Sequence, residues 1–191
     1  MEGLIKMRTT NCSKSKNKEI RLIVGLSKYN KSPLVTSMGN NYPFNTAAFV
    51  INNIGHCSVS ELNSFRRVLG MIFSPTRAKT LIGCWKKNNT SGPQIALDLK
   101  NNFNIYLGNY SEKTNLTKFI KKNNATNLKI LLLTVDSFED PIFKNLDAEI
   151  FKYTHPSQRG NTQQLFEDFD YCSQGYGFSS ADDIKQNFSI K

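Results

Sequence analysis

The chain has 191 residues, of which 39% are hydrophobic, and its 13 Phe and 7 Tyr exclude a chain that is disordered throughout. This is enough apolar material for one core domain. The formal net charge is +10 and it is unevenly placed: residues 1–135 hold 20 Lys and Arg against 5 Asp and Glu, whereas residues 136–191 hold 5 against 10. The basic part predicts a polyanionic partner, and the acidic part could compete with that partner.

The predicted domain organisation follows this charge pattern. Residues 1–19 are expected to be a flexible basic arm, residues 20–152 a single α+β core domain, and residues 153–191 an acidic, partly helical tail. The N-terminal charges precede no apolar stretch, and no run approaches 18 apolar residues, so we expect neither a signal peptide nor a membrane span. Four widely spaced cysteines without a C-x-x-C pair indicate reduced thiols, and an intracellular, cytoplasmic chain is expected, in a host cell if it is viral.

The first predicted elements are strands over residues 20–26 and 46–51. The next element is a helix that begins at Ser58, because Ser58 and Glu61 have the spacing of a capping box. Pro75 is expected to end this helix. Its apolar stripe recurs at intervals of three and four residues and comprises Leu62, Phe65, Leu69 and Ile72.

A three-stranded antiparallel meander is predicted after that helix. Its strands are expected over residues 80–85, 95–99 and 104–108, because residues 95–99 alternate in polarity behind a turn-rich stretch. A helix over 111–123, a buried strand over 128–135 and a helix that starts at Asp140 and Pro141 follow, with two short tail helices over 162–171 and 180–188. The predicted fold is therefore α+β, with a small central, mainly antiparallel sheet of the meander plus one or two further strands, flanked by helices.

Residues 93–161 resemble the GIY-YIG nuclease domain. Tyr106-Leu107-Gly108 stands for Y-I-G on the predicted hairpin, a lysine-rich helix follows, and Asn161 comes twelve residues after Glu149 of the predicted later helix. Lys118 or Phe119 stands where the family has Arg, and the G-I-Y tyrosine is missing. The resemblance implies a Mg²⁺-dependent endonuclease in which Tyr106 activates water, Lys118 stabilises phosphorane charge and Glu149 binds the metal, with Asn161 completing the site.

Other interpretations of these residues stay open. Asp98-Leu99-Lys100 resembles the metal-binding centre of restriction-endonuclease-like nucleases, although only Glu61 could supply the second carboxylate. Residues 105–109 and 175–178 resemble the aromatic strands of an RNA-recognition domain. Tyr106 is equally compatible with a core aromatic, and Glu149 with a solvated helix position.

Eight further cations are predicted to contact nucleic-acid phosphates. They are Arg66, Arg67, Arg77, Lys79, Lys86, Lys87, Lys121 and Lys122. DNA rather than RNA is the expected partner, and the abundant Asn and Lys, whose codons are rich in A and T, suggest a phage or mobile-element origin. Because two GIY-YIG residues are missing, enzymatic activity is uncertain. The alternative is a non-enzymatic viral or mobile-element factor that binds nucleic acid or a host protein, and the sequence predicts no oligomeric state.

Overall fold

A computed structural model describes residues 19–25, 34–124, 127–153, 179 and 181–190 of the chain. The strands are β1 Ile20–Gly25, β2 Val35–Ser37, β3 Thr46–Ala48, β4 Ile105–Asn109, β5 Leu128–Leu132 and β6 Glu149–Lys152. The helices are α1 Val59–Ile72, α2 Pro75–Lys87, α3 Gly92–Phe103, α4 Lys113–Asn123 and the short α5 Ala181–Asp183, which continues into a π-helical turn over Ile184–Phe188. No helix in these ranges has the length and apolarity needed to cross a membrane.

The main sheet is parallel, so the predicted antiparallel meander is wrong. Its four strands have the order β4-β1-β5-β6 and every neighbouring pair is parallel, while β2 and β3 form a separate antiparallel hairpin. Parallel strands cannot be joined by tight turns and need long crossovers, here α1 to α3 between β1 and β4, and α4 between β4 and β5. The structure is therefore a small α/β sheet with a hairpin at one edge.

Two of the predicted meander strands are helical. Residues 80–85 lie in α2, where the buried side chains of Ala78, Ile82 and Trp85 recur at four and three residues. Residues 95–99 lie in α3, where Ile95 and Leu99 are buried on one face. The buried residues of both segments follow the helical period of 3.6 residues. These segments are helices rather than strands because each helix then buries one apolar stripe against the core.

The predicted helix at Asp140 is replaced by a short turn and a strand. Asp140 does cap it, accepting from the backbone N–H of Ile142 at 3.0 Å, but only a 3₁₀ turn over Pro141–Phe143 forms. Residues 149–152 then pair in parallel with β5 as strand β6. Glu149 therefore lies on a strand and not on a helix. The predicted capping box of α1, the helix α4 and the buried strand β5 are confirmed.

Helices cover the sheet on both faces. Phe119 of α4 packs on Tyr106 of β4 with ring centroids 4.8 Å apart, and Leu116 lies so close to Gly108 that a Cβ there would be 2.9 Å from it. We call this side of the sheet the Tyr106 face. The opposite side, the Arg21 face, carries Arg21 of β1 and its neighbours in register. Burial on both sides explains why β5 is apolar apart from Lys129, which is itself buried.

The free edge of β4 is covered by the segment between β2 and β3. The hydroxyl of Tyr42 accepts a buried hydrogen bond of 2.7 Å from the backbone N–H of Leu107, which has no strand partner on that side. Phe49, which follows β3 with a φ of 61°, places its ring against Gly25 at the end of β1. A Cβ on Gly25 would lie 2.2 Å from that ring, so this position requires glycine.

The C-terminal segment, residues 181–190, packs into the core on the Arg21 face. Ile184 and Phe188 are fully buried, and the Ser189 hydroxyl donates to the backbone carbonyl of Met71 at 2.8 Å. Ser179 donates its backbone N–H to the carbonyl of Lys152 at 2.8 Å. The described part of the predicted tail is thus structural, while the arm over residues 1–18 and the predicted helix over 162–171 lie outside the described residues.

Candidate functional site

The carboxyl edge of the main sheet has the geometry at which open α/β sheets bind ligands. The chain leaves β1 toward β4 on one side and then crosses to β5 on the other, so the strand order reverses between β1 and β5. In open α/β sheets ligands bind at such a reversal, beyond the carboxyl ends of the strands. Tyr110 and Lys113 follow β4, and Asp140 follows β5, which brings these three side chains to this edge.

Asp140 joins these residues into one cluster, which we call the edge clasp. Its carboxylate accepts from the Tyr110 hydroxyl at 2.5 Å and from the Lys113 ammonium at 2.9 Å. The backbone N–H of Ile142, followed by the Tyr110 and Lys113 side chains, lowers the pKa of Asp140 to about 2. Burial, aided by the bond to Asp140, raises the pKa of Tyr110.

The edge clasp is suited to holding two loops together. Asp140 stays ionised and Tyr110 stays protonated at neutral pH, so neither side chain can exchange protons with a substrate there. The Lys113 ammonium is the most exposed member, but it is already neutralised by Asp140. The sequence predicts the cap at Asp140 but not its partners Tyr110 and Lys113, because both precede Asp140 by about thirty residues.

The other lysines that follow β5 and end β6 are also paired with an acid. Lys144 and Lys152 lie 3.4 Å and 3.2 Å from the carboxylate oxygens of Glu139. Among the described residues, each of the three lysines at the carboxyl edge therefore has a carboxylate partner. Because Lys144 and Lys152 share one carboxylate, the three lysines and two acids at this edge carry a net charge of +1, which attracts an anionic ligand less than three unpaired lysines would.

The structure does not bring the residues of the GIY-YIG hypothesis together. Tyr106 is on one edge strand and Glu149 on the opposite one, three strand spacings or about 14 Å apart. The parallel register aligns Glu149 with Lys129, Arg21 and Ile105, whereas Tyr106 is aligned with Leu22 on the other face. The two side chains thus lie at opposite edges and on opposite faces of the sheet.

Each of the four predicted catalytic residues has its own surroundings. Tyr106 is half-buried between Tyr42 and Phe119, and this burial raises the pKa of Tyr106. Lys118 is exposed on α4, and Glu149 lies 3.7 Å from the Lys129 ammonium. Asn161 lies outside the described residues. Within the described ranges, no group of three or more His, Cys, Asp or Glu side chains is placed to hold a metal ion.

The predicted phosphate contacts are divided between two sides of the molecule. Arg67 was predicted to contact phosphate but is buried, with 5% of its surface exposed, so little of its side chain is accessible to a ligand. Arg66 is half-buried, and the Arg77 guanidinium lies 5.2 Å from the centres of two aromatic rings. α2 packs on α1 through Phe65 and Trp85, while α4 packs on the Tyr106 face. The cations of α2 and α4 therefore lie on opposite sides of the sheet.

Among the described residues, α4 carries the densest group of exposed positive charge. Lys118, Lys121 and Lys122 lie on its outer side, at positions separated by three and four residues, and we call them the α4 lysine face. No acidic residue lies within the helix, and none of the three lysines forms an ion pair with any described residue. On α2 the exposed Lys79 is separated from Lys86 and Lys87 by the uncharged residues 80–85, about 10 Å along the axis.

The chain matches no protein-family model, no curated protein and no solved structure.

Proposed function

We propose that this protein binds nucleic acid through the phosphate backbone, with the α4 lysine face as the principal contact. The observation that carries the proposal is the state of these lysines: three ammonium groups within about one helical turn, all exposed and none paired with a described acid. The lysines of the carboxyl edge, by contrast, each form an ion pair, although Lys144 and Lys152 share one carboxylate. A dense polyanion is the ligand that unpaired, closely spaced lysines attract most strongly, because each contact releases condensed counterions.

The overall charge supports the same ligand. A formal net charge of +10 attracts a polyanion at long range, and a nucleic acid duplex is a dense polyanion, with one phosphate charge for about every 1.7 Å of its axis. Contacts to phosphate carry no sequence information, so binding without strong sequence preference is part of the proposal. The small ligand suggested by the strand-order reversal is less well supported, since the lysines there have acidic partners.

Two double variants with equal charge change test this proposal. Lys121→Gln/Lys122→Gln and Lys86→Gln/Lys87→Gln each remove two adjacent lysines from the last turn of an exposed helix. The logarithm of affinity for duplex DNA is measured against the logarithm of salt concentration. The α4 variant should reduce the steepness of this line by about 1.8, which is about 0.9 for each lost phosphate contact. The α2 variant should leave it near the wild-type value.

Each outcome of this titration has a distinct meaning. If both variants change the slope equally, net charge rather than the α4 lysine face determines binding. If only the α2 variant changes it, the proposed face is wrong. If wild-type affinity does not depend on salt, nucleic-acid binding is wrong, and a host-protein partner becomes the better proposal.

Metal-dependent cleavage stays a separate prediction from the sequence. Its test is nicking of supercoiled plasmid with Mg²⁺ and with EDTA, for the wild type and for Glu149→Ala. Because Tyr106 and Glu149 lie on opposite faces of the sheet, we expect no cleavage that depends on both residues. Loss of a Mg²⁺-dependent activity in both Tyr106→Phe and Glu149→Ala would restore the nuclease hypothesis.

A further inference from the structure

Among the residues that the structure describes, none gives the α4 lysine face an exposed aromatic ring on which a base could stack. The only aromatic residue of α4, Phe119, points inward and packs between Phe44 and Tyr106, at centroid distances of 5.3 Å and 4.8 Å. In the described ranges every aromatic ring is buried or half-buried, and the only exposed large hydrophobic side chain there is Val59. Contacts from this face are therefore confined to the sugar-phosphate backbone.

This composition differs from that of proteins that bind single strands. Such proteins combine a basic groove with exposed aromatic rings, and the stacking of unpaired bases on these rings supplies much of the affinity. The α4 lysine face has the charge but not the rings. A flexible single strand would have to be ordered on this face without that compensating contact.

The spacing of the lysines suits a ligand of high charge density. Lys118 and Lys122 are separated by four residues, which is about 6 Å along the helix axis. A duplex presents one phosphate charge for about every 1.7 Å of its axis, roughly twice the density of one of its strands. A duplex therefore offers a compact group of three lysines a higher density of phosphate charge than one of its strands does.

We infer that the ligand of the α4 lysine face is a double-stranded nucleic acid, contacted through its backbone and without base stacking. This inference rests on the proposed function and specifies the class of partner. Counterion release alone favours the duplex, because the salt slope is about 0.9 for each duplex phosphate and about 0.7 for each single-strand phosphate. Over three contacts the two slopes differ by about 0.6. Lowering the salt concentration from 1 M to 50 mM therefore favours the duplex over the single strand by roughly sixfold in affinity.

Fluorescence anisotropy with three labelled DNA ligands of equal length tests this inference. The ligands are a duplex, one of its strands, and the same strand with abasic sites in place of most bases. The duplex should bind at least about sixfold more tightly than the strand at 50 mM salt. The abasic strand should bind as well as the normal strand, because the bases contribute nothing to the contact.

The controls separate the failure of this inference from that of the proposed function. If the single strand binds as tightly as the duplex, or if abasic sites weaken its binding, the duplex inference is wrong while nucleic-acid binding stands. If none of the three ligands binds at low salt, both are wrong. Lys121→Gln/Lys122→Gln should reduce the preference for duplex, and the Lys86→Gln/Lys87→Gln variant should retain it.

Discussion

Phe188→Ala tests whether the C-terminal segment is part of the folded core. The Phe188 side chain is fully buried, its ring lies 5.5 Å from that of Phe151, and the Arg21 guanidinium lies 6.0 Å from its centre. Truncation to alanine removes the transfer free energy of the ring and leaves a cavity, which together cost about 3–5 kcal/mol. Because domains of this kind have about 5–15 kcal/mol of total stability, the variant should retain only part of it.

Urea unfolding followed by far-ultraviolet circular dichroism measures this loss. With a urea dependence of about 1–3 kcal/mol per molar, a loss of 3–5 kcal/mol lowers the midpoint by about 1 M or more. Gln186→Ala is the matched control, since Gln186 is exposed in the same turn and the substitution should change stability by no more than about 0.5 kcal/mol. A Phe188→Ala midpoint equal to that of the wild type would refute the docking of this segment.

The same packing gives the last residues of the acidic tail a structural role. Charge alone predicts that deletion of residues 154–191 raises the affinity for nucleic acid modestly, because acids that compete with the ligand are removed. That deletion would also remove Ile184 and Phe188 from the core, and the carbonyl oxygens to which Arg21 and Lys129 donate. We expect the truncated chain to unfold or aggregate, so the charge effect requires substitution of the acids instead.

Three further predictions test the packing and electrostatics of the sheet edges. Gly25→Ala should destabilise the protein by roughly 1–3 kcal/mol, because the new Cβ would lie 2.2 Å from the buried Phe49 ring. Gly83→Ala, at an open helix position, is the control and should stabilise the protein by about 0.5–1 kcal/mol. Equal urea midpoints for the two variants would contradict this prediction. Tyr42→Phe should cost about 1–3 kcal/mol by leaving the buried Leu107 N–H without its acceptor, and a wild-type midpoint would exclude that role. Asp140 has its pKa lowered to about 2 on folding, so it stabilises the fold above about pH 4 and this contribution is lost as the pH falls from 4 to 2. In Asp140→Asn, about 1–2 kcal/mol of that acid-dependent loss should disappear, as unfolding titrations at successive pH values would reveal.

Local signals in the sequence predicted individual elements well. The capping box of Ser58 and Glu61 forms as expected, with the Glu61 carboxylate accepting from the Ser58 N–H at 2.7 Å. The apolar run of β5 was recognised as buried because a strand covered on both faces has no polar alternation. These predictions succeeded because each depends on residues within a few positions of one another.

Residues 92–99 show why the meander could not be excluded from the sequence. Gly92 and Pro93 are typical of a turn, but a proline near the first helical position also starts a helix, and here it does. Ile95 and Leu99, four residues apart, satisfy both a strand and a helix pattern. The burial of Ala96 beside Ile95 is the feature that distinguishes a helix, and burial is not visible in one sequence.

The predicted catalytic set failed to assemble for a topological reason. Spacing along the chain specifies neither the order of strands in a sheet nor the face on which each side chain lies. Tyr106 and Glu149 are separated by two strands, β1 and β5, and β1 precedes Tyr106 by about eighty residues. A shift of one residue in register would reverse the face of either side chain, and no local pattern fixes that register.

The uneven charge of the chain has a structural use that the sequence alone did not indicate. Acids of its last third neutralise cations of the fold: Asp140 pairs with Lys113, Glu139 with Lys144 and Lys152, and Glu149 with Lys129. These pairs consume positive charge around the sheet while leaving the outer side of α4 untouched. The acids of these pairs thus offset cations around the sheet, and the α4 lysine face is left without an ion pair to any described residue. Neutralising Glu139 should accordingly create a second basic region at the carboxyl edge, and duplex DNA should then bind more tightly with a steeper salt dependence.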